Sequence, residues 1–82
     1  MYDMPEGAFV IRVEKNSAAG KAGVQKGDII VSFDGQTVSG KDDLESKLAY
    51  YASGETVDVV VSRADNGEYV QKTISVTLGS KN

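Results

Sequence analysis

Apolar and polar residues alternate along several stretches of this chain with a period of two, which is typical of half-buried β-strands. In residues 8–14, Phe9, Ile11 and Val13 share one face, while small, polar or charged residues occupy most of the other. The β-branched and aromatic content of this stretch also favours a strand. We therefore expect a first strand over residues 8–14 with one well-buried face.

Residues 29–33 are mostly apolar on both faces, which predicts a strand at the centre of a sheet. Asp34-Gly35 follows as a turn signal, because both residue types tolerate the backbone angles that tight turns need. The chain is then expected to return as a short strand over residues 36–38.

Two longer strands are predicted over residues 56–63 and 69–78. Asn66-Gly67 lies between them, and Asn-Gly between two β-rich segments is the strongest short-range signal for a hairpin. The apolar residues that share a face are Val57, Val59 and Val61 in the first strand, and Val70, Ile74, Val76 and Leu78 in the second.

A short helix is predicted over residues 17–22, between the first two strands. Asn16 or Ser17 can cap its first turn by accepting a backbone N–H, and Gly23 suits the left-handed position that ends many helices.

A longer helix is predicted to begin at Ser39 and to end at Ser53-Gly54. Ser39 and Asp42 have the spacing of a capping box, with Asp in place of Glu. Leu44, Leu48 and Tyr51 recur at helical spacing and predict one apolar stripe. The order of elements favours an α+β fold that is mainly β, a partly open antiparallel barrel or sandwich of about five strands with one short and one longer helix.

Composition excludes several classes of function. The 82 residues give room for one domain with a small core. The net charge is −3 with interspersed signs, so we expect no nucleic-acid partner. No apolar run approaches the roughly 18 residues of a membrane span, so we expect no direct membrane insertion. The chain contains no cysteine and no histidine, and we expect no metal and no cofactor.

Catalysis would have to use the residues that remain. Ser17 with Lys21, or Ser39 with Lys41, are conceivable dyads, but both serines are explained more simply as helix caps. A calcium site among Asp42, Asp43 and Glu45 lacks the spaced oxygen ligands around a glycine that such loops need. Asp28 and Asp34 are expected to serve turns. We therefore expect no enzyme activity in this chain.

A spaced series of short motifs resembles a known family. The series is Gly7-Ala8-Phe9-Val10, Asn16-Ser17-Ala18-Ala19, Ala22-Gly23-Val24, Gly27-Asp28-Ile29-Ile30 and Asp34-Gly35. It is similar to the PDZ consensus, with Ala18 where that pattern often has proline. The subtype resembles the circularly permuted PDZ domains that follow the protease domain of bacterial HtrA-type (DegP-like) serine proteases. The resemblance covers most of residues 7–78, with residues 1–6 as a lead-in and residues 79–82 as a tail.

The resemblance implies a peptide-binding site. PDZ domains add an extended peptide to a strand edge beside the longer helix and hold its terminal carboxylate with a loop. In the permuted family that loop and the first groove strand precede the lead-in, so we expect both to lie outside this chain. The residues implied for peptide binding are Gly7, Ala8, Phe9, Val10 and Ile11 on the strand, and Lys41, Glu45 and Leu48 on the helix.

The implied function is a non-enzymatic module that binds hydrophobic C-termini or extended segments of unfolded proteins, in protein quality control. It would regulate or feed the attached serine protease domain, and the resemblance implies an extracytoplasmic parent that is anchored in the cell envelope. Two alternatives stay open: a PDZ domain of a tail-specific or Lon-like envelope protease, and a structural fragment without peptide binding. The strand over residues 8–14 could also pair with a second copy through an unpaired edge, giving a homodimer.

Overall fold

The computed structural model describes residues 6–52 and 54–78, which form one open antiparallel sheet with two helices. The elements are β1 (Ala8–Phe9), α1 (Ala18–Ala22), β2 (Ile29–Phe33), β3 (Gln36–Thr37), α2 (Lys41–Leu48), β4 (Thr56–Asp65) and β5 (Glu68–Thr77). The strand order is β1-β2-β4-β5, and β3 pairs with β2. The predicted class is confirmed: over the residues that the structure describes, the fold is mainly β, with five strands and two helices, and its sheet is not closed.

The two predicted hairpins are present with the expected turns. Asp34 and Gly35 have φ angles of 51° and 79°, and Asn66 and Gly67 have φ angles of 52° and 84°. Two consecutive residues with positive φ make a type I′ turn, whose twist matches that of the strands it joins. The second hairpin pairs all ten residues of β4 with β5, from Asp65 and Glu68 at the turn to Thr56 and Thr77.

The core lies on one face of this sheet. Its buried cluster consists of Ala8, Phe33, Val38, Val57, Val59, Val61 and Val76. The predicted valine face of β4 is therefore confirmed. Val70 is exposed, because the turn end of the hairpin extends beyond the core. β2 lies between β1 and β4, which confirms the central position predicted from its apolar content.

The first strand is shorter than predicted, and its buried face is the opposite one. Ala8 pairs with Ile30, which pairs in turn with Val61, so Ala8 lies on the core face. Phe9 lies on the other face and is exposed. Ladder bonding ends at Val10, because the chain before β2 bends away in a turn and offers nothing for residues 11–14 to pair with.

Helix α1 has the predicted caps. The Ser17 hydroxyl accepts the Gly20 N–H at 3.1 Å, and Gly23 ends the helix with φ 105°. Asn16 plays no part in this cap. A side chain at Gly20 would meet the Glu14 carbonyl, so the close packing of this helix on the preceding loop requires glycine.

Helix α2 begins and ends differently from the prediction. Its N-cap is Gly40, without a side-chain cap, and the carboxylate that returns to the start of the helix belongs to Asp43. Asp43 accepts the Ser39 N–H at 2.9 Å, whereas Asp42 makes no such contact. The helix ends at Leu48, well before Gly54. The predicted lead-in and tail lie largely outside the described residues, and the boundary at residues 7–78 stays a prediction.

A buried ion pair joins elements that are far apart in sequence. Asp28 is 1% exposed, and both of its carboxylate oxygens accept from the Arg63 guanidinium, at 2.8 and 2.7 Å. Arg63 also donates to the Gly23 carbonyl at 3.1 Å, where α1 ends. The Asp28 carboxylate further accepts the Gln25 N–H at 2.9 Å, which closes the turn before β2. The prediction that Asp28 serves a turn is thus correct but omits its larger role.

The environment of Asp28 favours its charged form. Burial alone would raise the pKa of the Asp28 carboxyl, but the hydrogen bonds from Arg63 and Gln25, together with the Arg63 charge, lower that pKa below its ordinary value. Because the folded-state pKa is depressed, the ion pair contributes its full stability above the unfolded pKa. That contribution is lost as the pH falls through the folded-state pKa.

We predict that Arg63→Met lowers the free energy of unfolding by about 3–5 kcal/mol at pH 7, because it leaves a buried carboxylate without its cation. Urea denaturation of both proteins at several pH values would measure the difference. The difference should shrink as the pH falls from the ordinary aspartate value of 3.8 through the lower folded-state pKa of Asp28, since the carboxyl of the folded protein becomes neutral only over that range.

The control is Arg12→Met, which removes the ion pair between Arg12 and Glu14, whose side chains are 78% and 68% exposed. Exposed pairs contribute about 0–1 kcal/mol, so this variant should unfold much like the parent. An equal loss in the two variants, or a loss from Arg63→Met that does not depend on pH, would contradict the role assigned to Asp28.

Candidate functional site

The outer edge of β1 carries backbone groups that point away from the sheet. The Val10 N–H donates to the Asp28 carbonyl at 2.8 Å, and the Val10 carbonyl accepts the Gly27 N–H at 2.8 Å. Because bonding directions alternate along an antiparallel strand, the N–H and C=O groups of Phe9 and Ile11 point to the opposite side. Within residues 6–52 and 54–78, β2 is the only strand that pairs with β1. That edge is therefore available to an additional strand.

Large apolar side chains are exposed beside this edge. Phe9 is 52% exposed, Ile11 is 70% exposed and Leu48, on α2, is 38% exposed. α2 itself contacts β1, so the helix borders the edge on the core side. Phe9 and Ile11 lie on the strand face that points away from the core, whereas Leu48 lies on the helix at the core side of the edge. Exposed apolar residues beside an unpaired strand edge are typical of surfaces that bind extended peptides.

Helix α2 has two different exposed faces. At 100° per residue, Lys41, Glu45 and Leu48 fall on one face, and all three are exposed. Leu44 lies beside this face and packs against the core, whereas Leu48 of the same predicted stripe is exposed. The opposite face carries Tyr50, just past the end of the helix, which is 88% exposed.

Contacts near both ends stabilise α2, and those beyond its end join it to the β2–β3 turn. Near its start, the Asp43 carboxylate accepts from Lys47 at 2.7 Å, and this bond is the largest of the contacts that lower the pKa of Asp43. Beyond its end, the Tyr51 hydroxyl donates to the Asp34 carboxylate at 2.6 Å, and its ring packs edge-on against Phe33 with centroids 5.1 Å apart. The hydrogen bond to Asp34 raises the pKa of Tyr51. The helix is thereby held against the β2–β3 turn.

The structure separates the predicted strand residues into two groups. Phe9 and Ile11 have exposed side chains, and their backbone N–H and C=O groups point to the unpaired edge of the strand. Ala8 is buried and pairs with Ile30 of β2, and the backbone groups of Val10 bond to Gly27 and Asp28, just before β2. Gly7 approaches β2 so closely that a β-carbon there would meet the Ile30 carbonyl. The assignment of these residues to peptide binding stays a prediction.

The structure gives other roles to the serines that were considered for catalysis. The Ser17 hydroxyl donates to the Glu14 carbonyl at 2.7 Å and accepts from the Gly20 N–H. Both bonds belong to the N-terminal cap of α1. The Ser39 hydroxyl donates to Asp43 at 3.3 Å. Among the described residues there is no group of three or more acidic side chains placed to hold a metal ion, and no helix long and apolar enough to cross a membrane.

Sequence reasoning missed two features of the surface and core. It did not find the pairing of Asp28 with Arg63. The one signal in the sequence was that Asp28 directly precedes an apolar strand, where a buried carboxylate would need a cation as its partner. It also gave no role to Tyr50, whose exposure follows from the early end of α2.

Comparison with known protein families gives a match over residues 1–78 to the family model described as PDZ domain. A probable periplasmic serine endoprotease described as DegP-like, from a Marinomonas species, is 38% identical over 79 residues, which are 96% of this chain and 16% of the relative. Another DegP-like protein, from Brucella suis, is 34% identical over 93% of this chain and 15% of the relative. A serine protease Do-like HtrA from Lactobacillus helveticus is 32% identical over 90% of this chain and 17% of the relative.

Solved structures give the same fold. One structure of the HtrA-type protease AlgW with a decapeptide superimposes with a TM-score of 0.66 and 28% identity, over 88% of this chain and 22% of that chain. A structure of an AlgW variant with a decapeptide has a TM-score of 0.76 and 23% identity over 90% of this chain and 21% of that chain. The present chain thus spans about a sixth of these curated relatives and about a fifth of the matched structures.

We predict that Gly7→Ala destabilises the protein by about 1–3 kcal/mol, because the added methyl group would overlap the Ile30 carbonyl and displace β1 from β2. Thermal and urea unfolding would measure this loss. Gly40→Ala is the control, since a β-carbon at Gly40 meets nothing within 4 Å and should cost only the N-cap preference, up to about 1 kcal/mol. Equal stability of Gly7→Ala and the parent would show that β1 is not held as close to β2 as described.

Proposed function

Because the chain belongs to the PDZ domain family, and its curated relatives are HtrA-type serine proteases, we propose that it is the peptide-recognition module of such a protease. It binds hydrophobic C-termini or extended segments of unfolded proteins by strand addition. In doing so it regulates the attached protease domain or delivers substrates to it. In this proposal the chain contributes binding and no catalytic group.

The observation that carries this proposal is the free edge of β1 beside α2. Strand addition needs backbone donors and acceptors in an extended segment, and Phe9 and Ile11 supply them. It also needs apolar surface to select side chains, which Phe9, Ile11 and Leu48 supply. Lys41 and Glu45 add one charge of each sign to the helix wall, so the site favours apolar ligands over ligands of a particular charge.

The comparisons support the HtrA assignment over the tail-specific and Lon-like alternatives, because the relatives described above are DegP-like or HtrA-type. Two of the matched structures are described as containing a decapeptide, which supports a peptide ligand for this chain. Several of the relatives are described as periplasmic. This description supports a location outside the cytoplasm for the parent protein, and we propose in addition that the parent is anchored in the cell envelope.

The proposal predicts that Ile11→Lys weakens binding of a short peptide ending in Val or Phe by about tenfold or more, the scale expected for an apolar contact at the centre of an interface. NMR titration of the labelled 82-residue chain would measure it. In the parent, shifts should be confined to residues 7–13 and 41–51. The same peptide with an amidated C-terminus should be titrated as well. Weaker binding of the amidated peptide would show that the free carboxylate contributes to affinity, and equal binding would show that an extended segment is sufficient.

Tyr50→Lys is the matched control, because it adds the same charge at an exposed residue just past the end of α2, on the side opposite to Lys41, Glu45 and Leu48. It should bind the peptide as the parent does. Absence of shifts in the parent with either peptide, or equal weakening by the two lysine variants, would contradict binding at the β1 edge.

A further inference from the structure

The two hairpin turns of this fold place a glycine directly after an Asp or Asn residue, at Asp34-Gly35 and Asn66-Gly67. At such positions the backbone nitrogen of the second residue can attack the side-chain carbonyl carbon of the first and close a five-membered succinimide ring. Glycine favours this reaction because no side chain shields its nitrogen. Asn16, which precedes a serine, is a further candidate. The contacts at these three positions differ.

Hydrogen bonds at Asn16 and Asp34 oppose ring closure. The nitrogen that would attack Asn16 belongs to Ser17, and its N–H donates to the Glu14 carbonyl at 3.0 Å. The Asp34 carboxylate accepts the Tyr51 hydroxyl at 2.6 Å, so it cannot turn towards the following nitrogen without breaking this bond. A carboxylate is also a poorer electrophile than an amide, because it carries a negative charge. Both positions are therefore protected in the folded chain.

Neither kind of restraint is present at Asn66. Within the part of the chain that the structure describes, the Asn66 side chain makes no hydrogen bond, and the Gly67 N–H donates to no acceptor. Both residues are exposed to solvent. The amide carbon that would be attacked and the nitrogen that would attack it are thus both unrestrained by other residues.

The end of the hairpin that carries Asn66 can open without exposing the core. In the type I′ conformation, the Asn66 β-carbon lies almost opposite to the Gly67 nitrogen about the Cα–C bond, so the ring closes only after the turn has opened. Residues 64–68 are all exposed, whereas the buried residues of β4 lie between Val57 and Ser62. Local opening of such a peripheral segment costs little free energy.

We infer that Asn66 is a site of covalent modification, at which the asparagine converts to aspartate and isoaspartate with water as the co-reactant. The Gly67 nitrogen gives its proton to hydroxide and forms a bond to the Asn66 Cγ. The bond between Cγ and Nδ2 then breaks, and the nitrogen leaves as ammonia after taking a proton from water, which restores the hydroxide. Water finally opens the succinimide at either of its two carbonyls. This inference does not depend on the proposed function.

The two products change the end of the hairpin in different ways. Opening at the side-chain carbonyl gives aspartate, which adds a negative charge between Asp65 and Glu68. Opening at the main-chain carbonyl gives isoaspartate, in which the backbone passes through the side chain and gains one methylene group. Because a type I′ turn is closed by two residues of normal length, the added group disrupts the pairing of Asp65 with Glu68 and leaves the pairs near the core in place.

Mass spectrometry of tryptic peptides follows all three positions in one experiment. The folded 82-residue chain is incubated in mildly alkaline buffer, beside the same chain unfolded in guanidinium chloride. Cleavage after lysine and arginine places Asn16, Asp34 and Asn66 in separate peptides, residues 16–21, 27–41 and 64–72. Deamidation adds about 1 Da, because an amide NH2 becomes OH, and chromatography separates the isoaspartyl form from the aspartyl form. The rate in the unfolded chain corrects for the intrinsic reactivity of each sequence.

Folding should slow the reaction at Asn66 by no more than about tenfold, because only local opening is needed, and should slow the reactions at Asn16 and Asp34 much more. The rate at Asn66 should rise in proportion to the hydroxide concentration. Asn66→Gln should abolish the mass gain in peptide 64–72, because ring closure would then need six members. A folded chain without modified peptide 64–72 would overturn the proposal, and so would equal protection of Asn66 and Asn16 by folding.

Tyr51→Phe is the matched control, because it removes only the hydroxyl that holds the Asp34 carboxylate. Isoaspartate should form faster at residue 34 in this variant, while the rate at Asn66 should equal that of the parent. Acceleration at Asn66 equal to that at residue 34 would overturn the proposal, since the reaction would then follow general loosening of the fold rather than the contacts of each turn.

Discussion

The buried carboxylate of Asp28 is the contact on which the remaining architecture depends. Its side chain accepts from Arg63 on β4 and from the Gln25 N–H, and its backbone carbonyl accepts from Val10. Through Arg63 the same group reaches the Gly23 carbonyl at the end of α1. A charge buried in so small a domain is tolerated only when its partners are held in place. One residue therefore fixes α1, the turn before β2, β4 and the first strand relative to one another.

The proposed site follows from this arrangement. Because Asp28 and Gly27 hold Val10 by its backbone, the alternation along the strand directs the backbone of Phe9 and Ile11 outward. Burial of Ala8 on the core face places the Phe9 side chain on the exposed face. The apolar surface at this edge is thus a consequence of the register of a short strand, and no separate binding loop among the described residues is needed to create it.

Local signals predicted much of this fold, and contacts distant in sequence account for what they missed. Asp34-Gly35 and Asn66-Gly67 specify their turns by backbone preference alone, and both turns formed as predicted. The buried face of β1 was predicted wrongly, because the alternation over residues 8–14 assumed one long strand, whereas only Ala8 and Phe9 form β1 and their register with β2 decides which face is buried. The pairing of Asp28 with Arg63 spans 35 residues, for which sequence periodicity holds no signal. The family resemblance predicted which strand and helix form the candidate site. Only the structure shows that Ala8 is buried whereas Phe9 and Ile11 are exposed.

The central claim is that a peptide pairs with the edge of β1 that does not face β2. Amide hydrogen exchange at Phe9, Val10 and Ile11 tests this claim. In the free protein, the Val10 amide should exchange slowly because it is bonded to Asp28, while the Phe9 and Ile11 amides should exchange quickly. Addition of a hydrophobic peptide should slow exchange at Phe9 and Ile11 and leave Val10 nearly unchanged. Peptide binding that leaves the Phe9 and Ile11 amides exchanging as fast as before would contradict strand addition at this edge.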